Sequence, residues 1–100
     1  MEETVSLSTL TADDFSKHLN TAFAFHDGKR EWQLKLTSVS NLPGRAGKRQ
    51  PFSLVFMGVP GVVLPQRVYP LDHPSMGRLP LFIVPIGADA GGTQYEAIFS

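Results

Sequence analysis

The chain has 100 residues, 42% of them hydrophobic and ten aromatic, enough for one self-supporting core and too apolar for intrinsic disorder. Nine basic and nine acidic residues give a formal net charge of +0, which removes any global field favouring nucleic acid or an anionic membrane. With no cysteine there is no disulfide, zinc–thiolate site or thiol nucleophile, and the composition suits a reducing compartment.

The N-terminus carries Glu2 and Glu3 where a signal peptide has Lys or Arg, and no apolar segment follows. The reading is a cytoplasmic protein of one domain, 1–100, in which 1–8 form a flexible or loosely docked N-terminus. A helix is expected over 11–19. Thr11 is its N-cap, Asp14 closes a short capping box, and Leu10 and Phe15 stand at the staple positions. Asp13 and Asp14 suit the first turn, and Asn20 suits the C-terminal end. Phe15 and Leu19 at i,i+4 make an apolar stripe, but so short a helix must dock to persist. The end of a barrel or the outer face of an apolar strand would receive it.

Everything beyond reads as β. Over Thr21–His26, Phe23 and Phe25 share a face, and Asp27-Gly28 supplies a turn. Residues 31–39 alternate, with Trp32, Leu34 and Leu36 inward until Val39 breaks the parity, which predicts a bulge or bend near Thr37-Ser38. Phe52, Leu54 and Phe56 share a face of the next strand. Arg67–Leu71 and Arg78–Ile86 flank a turn at His73–Gly77, and Tyr95, Ala97 and Phe99 share a face of the last strand. The run Leu79–Ile86 is apolar at both parities and so predicts cover on both faces, by the core on one side and by a helix, loop or partner on the other. It is too short to span a bilayer and holds two prolines. Short strands, tight turns and no long helical crossover predict a mainly β fold: a small antiparallel six-stranded barrel-like sheet with one short N-terminal helix. The expected core is Phe23, Phe25, Trp32, Leu34, Leu36, Phe52, Leu54, Phe56, Leu81, Ile83, Tyr95 and Phe99.

Four segments carry a resemblance: LTADDF at Leu10–Phe15, FSLVFMG at Phe52–Gly58, LPQRVYPLDHPSMGRLPLFIVPIG at Leu64–Gly87 and YEAIF at Tyr95–Phe99. Together they resemble a family of small bacterial domains of unknown function, from about Leu10 to Phe99. The motifs are core and turn residues, so the resemblance implies a shared fold and carries over no catalytic residue. Some members of that family are encoded near phage-tail-collar-like proteins, which implies an accessory role in a phage-tail-like system.

Chemistry-bearing patterns are sparse. Asp72, His73 and Ser75 invite a hydrolase reading, but adjacent strand residues point to opposite faces and a proline follows at once. Turn grammar suits them better: Pro74 presets φ, Asp72 or Ser75 bonds free amides, and Gly77 takes a positive φ. The three histidines, His18, His26 and His73, have no metal-ligand spacing, and no metal or cofactor is expected. Gly44–Arg49 lacks the spacing and the following helix of a phosphate loop. Its Arg45, Lys48 and Arg49 nevertheless form the most basic point of the chain, either a solvated loop or a contact for phosphate or an acidic partner. The loop Val59–Leu64 is apolar where loops are usually polar. It is either a lid over one end of the barrel or a contact patch.

The functional expectation is a non-enzymatic interaction or assembly module with a protein partner or self-association. Val59, Val62, Val63, Leu64, Arg45, Lys48 and Arg49 are its candidate interface. The alternative is a small-molecule-binding barrel or cofactor-using enzyme with its site in the barrel mouth, at Arg67, Tyr69 or His73. Nucleic-acid binding rests on the basic loop alone and ranks last.

Overall fold

A computed structural model of the chain describes residues 7–44 and 50–100. After a 3-10 turn at Leu7–Thr9 and a helix α1 at Ala12–Ser16 come six strands: β1 Ala22–His26, β2 Glu31–Asn41, β3 Phe52–Gly58, β4 Arg67–His73, β5 Gly77–Asp89 and β6 Gly92–Phe99. They close into an antiparallel barrel in the order β1-β2-β3-β6-β5-β4. Closure is narrow, because β1 meets β4 at the single position Ala24–Asp72.

Side-chain alternation builds the interior. Phe23, Leu34, Leu36, Phe52, Leu54, Phe56 and Tyr95 are buried, as their parity requires. Each large apolar side chain removed from water contributes about 1.5–3 kcal/mol. The parity break in β2 is a bulge, since the β2–β3 register shifts between Leu36 and Ser38. A second shift in β5, between Pro85 and Gly87, leaves Ile86 unpaired. Each proline inside a strand stands where one neighbouring strand does not pair with it. Pro70 and Pro80 oppose each other, while Pro70 is outside the β1–β4 contact and Pro80 precedes the β5–β6 ladder. A missing N–H is tolerated at such places.

The helix is shorter than 11–19 and stops at Ser16. Asp14 accepts hydrogen bonds from the Thr11 amide (2.9 Å) and hydroxyl (3.3 Å), so its carboxylate caps the first turn. Leu19 is exposed rather than part of a stripe. The chain turns back through Asn20 in the left-handed region, φ 68°, whose amide donates to the Leu36 carbonyl at 2.7 Å. Five helical residues cannot hold a helix in water. What holds this one is Phe15, fully buried against Phe99, Phe52 and Phe23 at ring-centroid distances of 5.3, 5.8 and 6.4 Å. Of the two expected docking places, the helix takes the barrel end.

Two expectations about burial are corrected. Trp32 is only half-buried, because its indole serves the β1–β2 turn: Nε1–H donates to Asp27 at 2.8 Å and the Arg30 guanidinium lies 4.1 Å over the ring. The apolar strand β5 is not covered twice. Leu79, Leu81 and Ile83 are inside, while Phe82 and Ile86 are 51% and 50% exposed. The helix that could have covered that outer face is at the barrel end instead. Phe15, Tyr69, Leu71, Leu79 and Ala97 complete the core.

Candidate functional site

The loop Val59–Leu64 is tied to the barrel in its second half and exposed at Val59 and Val63. The Val62 carbonyl accepts from the Thr93 hydroxyl at 2.6 Å, and the Leu64 amide donates to the Tyr95 hydroxyl at 2.9 Å. Leu64 packs on the core, so this half of the loop covers the barrel end opposite α1. Val59 and Val63 point outward, 38% and 61% exposed. Arg45, Lys48 and Arg49 lie outside the described residues.

The barrel-mouth residues do not converge. Arg67 begins β4 and His73 ends it, a separation of about 20 Å at a strand's ~3.3 Å rise per residue. The Arg67 guanidinium lies 5.4 Å from the centre of the Tyr69 ring. The Tyr69 hydroxyl donates to the Pro65 carbonyl at 2.6 Å, and burial pushes its phenol above the ordinary value. Between the two ends the barrel is filled by side chains, Phe23, Phe56 and Leu81 among them.

Asp72, His73 and Ser75 do not form a triad. The Asp72 carboxylate receives the Arg78 guanidinium in a two-pronged pair, 2.7 Å to Nε and 3.0 Å to Nη2, which holds its acid below the usual range. His73 lies on the opposite face of β4 and is buried. Its Nδ1 accepts the backbone amide of Ser75 at 3.0 Å, so the histidine ring, rather than Asp72 or Ser75, satisfies the turn. Gly77 takes φ 80°, as the turn requires. With Nδ1 an acceptor, the proton sits on Nε2, which faces the Thr21 hydroxyl at 3.0 Å. That hydroxyl donates to the His18 carbonyl at 2.6 Å. The His18 and Phe23 rings flank His73 at 4.5 and 4.6 Å. Burial, and then the neighbouring His18, hold the His73 imidazole below its ordinary value.

Asp27 organises the turn at the other end. Its carboxylate accepts from the amides of Lys29 and Arg30, at 2.8 and 2.9 Å, besides the indole of Trp32. These bonds, the indole's first, lower its pKa to about 2. Among the described residues no three His, Asp or Glu side chains group as a metal site, and no helix is long and apolar enough to cross a membrane.

The surface that single-strand reasoning did not single out runs across three strands. Val68 of β4 pairs with Phe82 of β5. The β5–β6 register through Val84–Glu96 continues to place Ile98 beside Phe82. The three are 56%, 51% and 60% exposed. Pro70 and Pro80 adjoin them in the next row, and Asp72 with Arg78 marks the edge of the apolar face. The signal was present in parity: each of the three stands one residue out of step with the buried positions of its own strand.

A family model described as a domain of unknown function, DUF6916, matches residues 10–99. No curated protein and no solved structure matches the chain.

Proposed function

Because the chain belongs to the DUF6916 family of domains of unknown function, we propose from its surface that it is a non-enzymatic interaction module docking through the outer face of β4, β5 and β6. The observation that carries this reading is the outward row Val68, Phe82 and Ile98, each more than half exposed. Exposed side chains scattered singly are ordinary, but three adjacent ones across three strands, flanked by two prolines, make a contiguous apolar face. A row of exposed side chains on the outer face of a sheet invites contact by packing on that face. Val59 and Val63 add apolar surface on the loop. The partner is a second copy or another protein with an apolar surface. In a phage-tail-like setting, which the family resemblance implies, it would be a subunit of that assembly.

The filled interior weighs against the barrel-mouth alternative, since a small-molecule site needs a cavity with convergent polar groups. Native mass spectrometry of the wild type and of Phe82→Asp tests the proposal. The wild type should hold a second copy or a defined protein, and the variant should release it while melting normally, because half of Phe82 already meets water. A wild type that stays bare and monomeric under these conditions would refute the reading.

A further inference from the structure

We propose that the His73–Thr21–His18 circuit is an acid-released latch on the helical plug that closes one end of the barrel. The geometry has three parts. His73 is buried at the end of β4, 7% exposed, and both its ring nitrogens are engaged. Its Nε2–H reaches, through the Thr21 hydroxyl, the carbonyl of His18, and the His18 amide is itself bonded to the Phe15 carbonyl at 2.9 Å. Phe15 is the side chain that anchors α1 in the barrel. The circuit thus ties the exit of the plug to the β4–β5 turn.

A second proton on His73 costs the circuit its Ser75 end at a defined atom, and the Thr21 link then gives way only as the charged ring swings out toward water. Nδ1 would carry a hydrogen pointing at the Ser75 N–H, so an acceptor becomes a donor facing a donor. The new charge would sit in a buried place between the Phe23 and His18 rings. Among the described residues no carboxylate is hydrogen-bonded to the ring. Asp14 and Lys17 line the surface groove beside His18 and Ser75, but the Asp14 carboxylate is bonded to Thr11. Asp72, on the other face of β4, is bonded to Arg78. Phe23 from β1 and Met76 from the turn bring no charge.

The sign follows from the lowered value of the closed form. The latch contributes fully above the ordinary histidine value of 6.5, and its contribution is lost as the pH falls through the lower value of the closed form. The opening constant of the plug should rise by up to about tenfold for each pH unit that separates the two values.

Histidine NMR and hydrogen exchange on the whole chain test this together. His73 should titrate below the ordinary histidine value, and amides of 12–21 should lose protection in step with it, once intrinsic exchange rates are corrected. In His73→Gln, which keeps a donor toward Thr21 and cannot take the proton, that loss should vanish. In His18→Gln it should shrink, because the closed form then accepts the proton more readily. The proposal is overturned if His73 titrates at an ordinary value with the plug still protected, or if His73→Gln loosens in acid as the wild type does. Should His73→Gln fail to fold, the wild-type titration and the His18→Gln comparison decide the matter.

Discussion

Replacing Phe15 by alanine removes the one fully buried side chain of a five-residue helix and its main tie to the barrel. Loss of a buried phenylalanine costs about 3–5 kcal/mol through lost transfer energy and the cavity left behind. Phe15 is fully buried and meets three other rings, and each such pair adds roughly 0.5–1.5 kcal/mol beyond burial. The backbone offers no compensation, since the helix cannot persist undocked. The expected loss is therefore on the order of 4 kcal/mol, a large part of the ~5–15 kcal/mol that stabilises an ordinary domain. For a domain of this size that lowers Tm by about 15–30 °C. Urea titration followed by the fluorescence of Trp32, the single tryptophan, measures it. Leu19→Ala is the control, because Leu19 is already 38% exposed and should cost under ~0.5 kcal/mol, as surface changes do. If Phe15→Ala lost less than about 1 kcal/mol, the helix would be an ornament on a barrel that closes without it.

Gly92→Ala should be among the most damaging small substitutions, because φ is +144° and a Cβ would run into the carbonyl oxygen of Gly58. Gly61→Ala, at φ +80° with open space around it, should cost only the ~1–2 kcal/mol of a left-handed L-residue; denaturant midpoints of the two variants test the contrast. Asp27, held at about 2 against an ordinary 3.8, supports the β1–β2 turn fully above the ordinary value, and that support is lost as the pH falls through about 2. The indole N–H resonance of Trp32 should move over that range in the wild type and stay put in Asp27→Asn.

The parts of the fold legible in the sequence are those in which one parity is apolar and the other polar. β2 meets that condition, while β1, β3 and β6 approach it, each with apolar residues such as Ala24, Val55 or Ile98 at the second parity; their inward residues and the β2 bulge follow from it. β5 does not. Its second apolar parity has two physical meanings, burial under a cover or exposure to a partner, and a single strand cannot separate them. Registering β5 against β4 and β6 does, because Val68 and Ile98 then fall beside Phe82. The helix fails for a different reason: i,i+4 spacing assumes that the helix continues, whereas Asn20 and the pull of Phe15 into the barrel end it at Ser16. His73 shows the limit of local grammar. The turn around it was readable, but its ring partner Thr21 lies on another strand's approach, and no spacing within the turn points there.

The meeting of β1 and β4 at Ala24–Asp72 alone bears on how the chain assembles. Hairpins β1–β2 and β4–β5 each form from contacts near in sequence, and the strand joining their outer edges forms only when the ribbon curls on itself. Curling carries the entropy of a long loop and returns almost no ladder hydrogen bonds, so its reward is the burial of the interior. Ring closure is then a packing event and belongs late on the folding path. Substitutions at the seam should leave the folding rate nearly unchanged and speed unfolding.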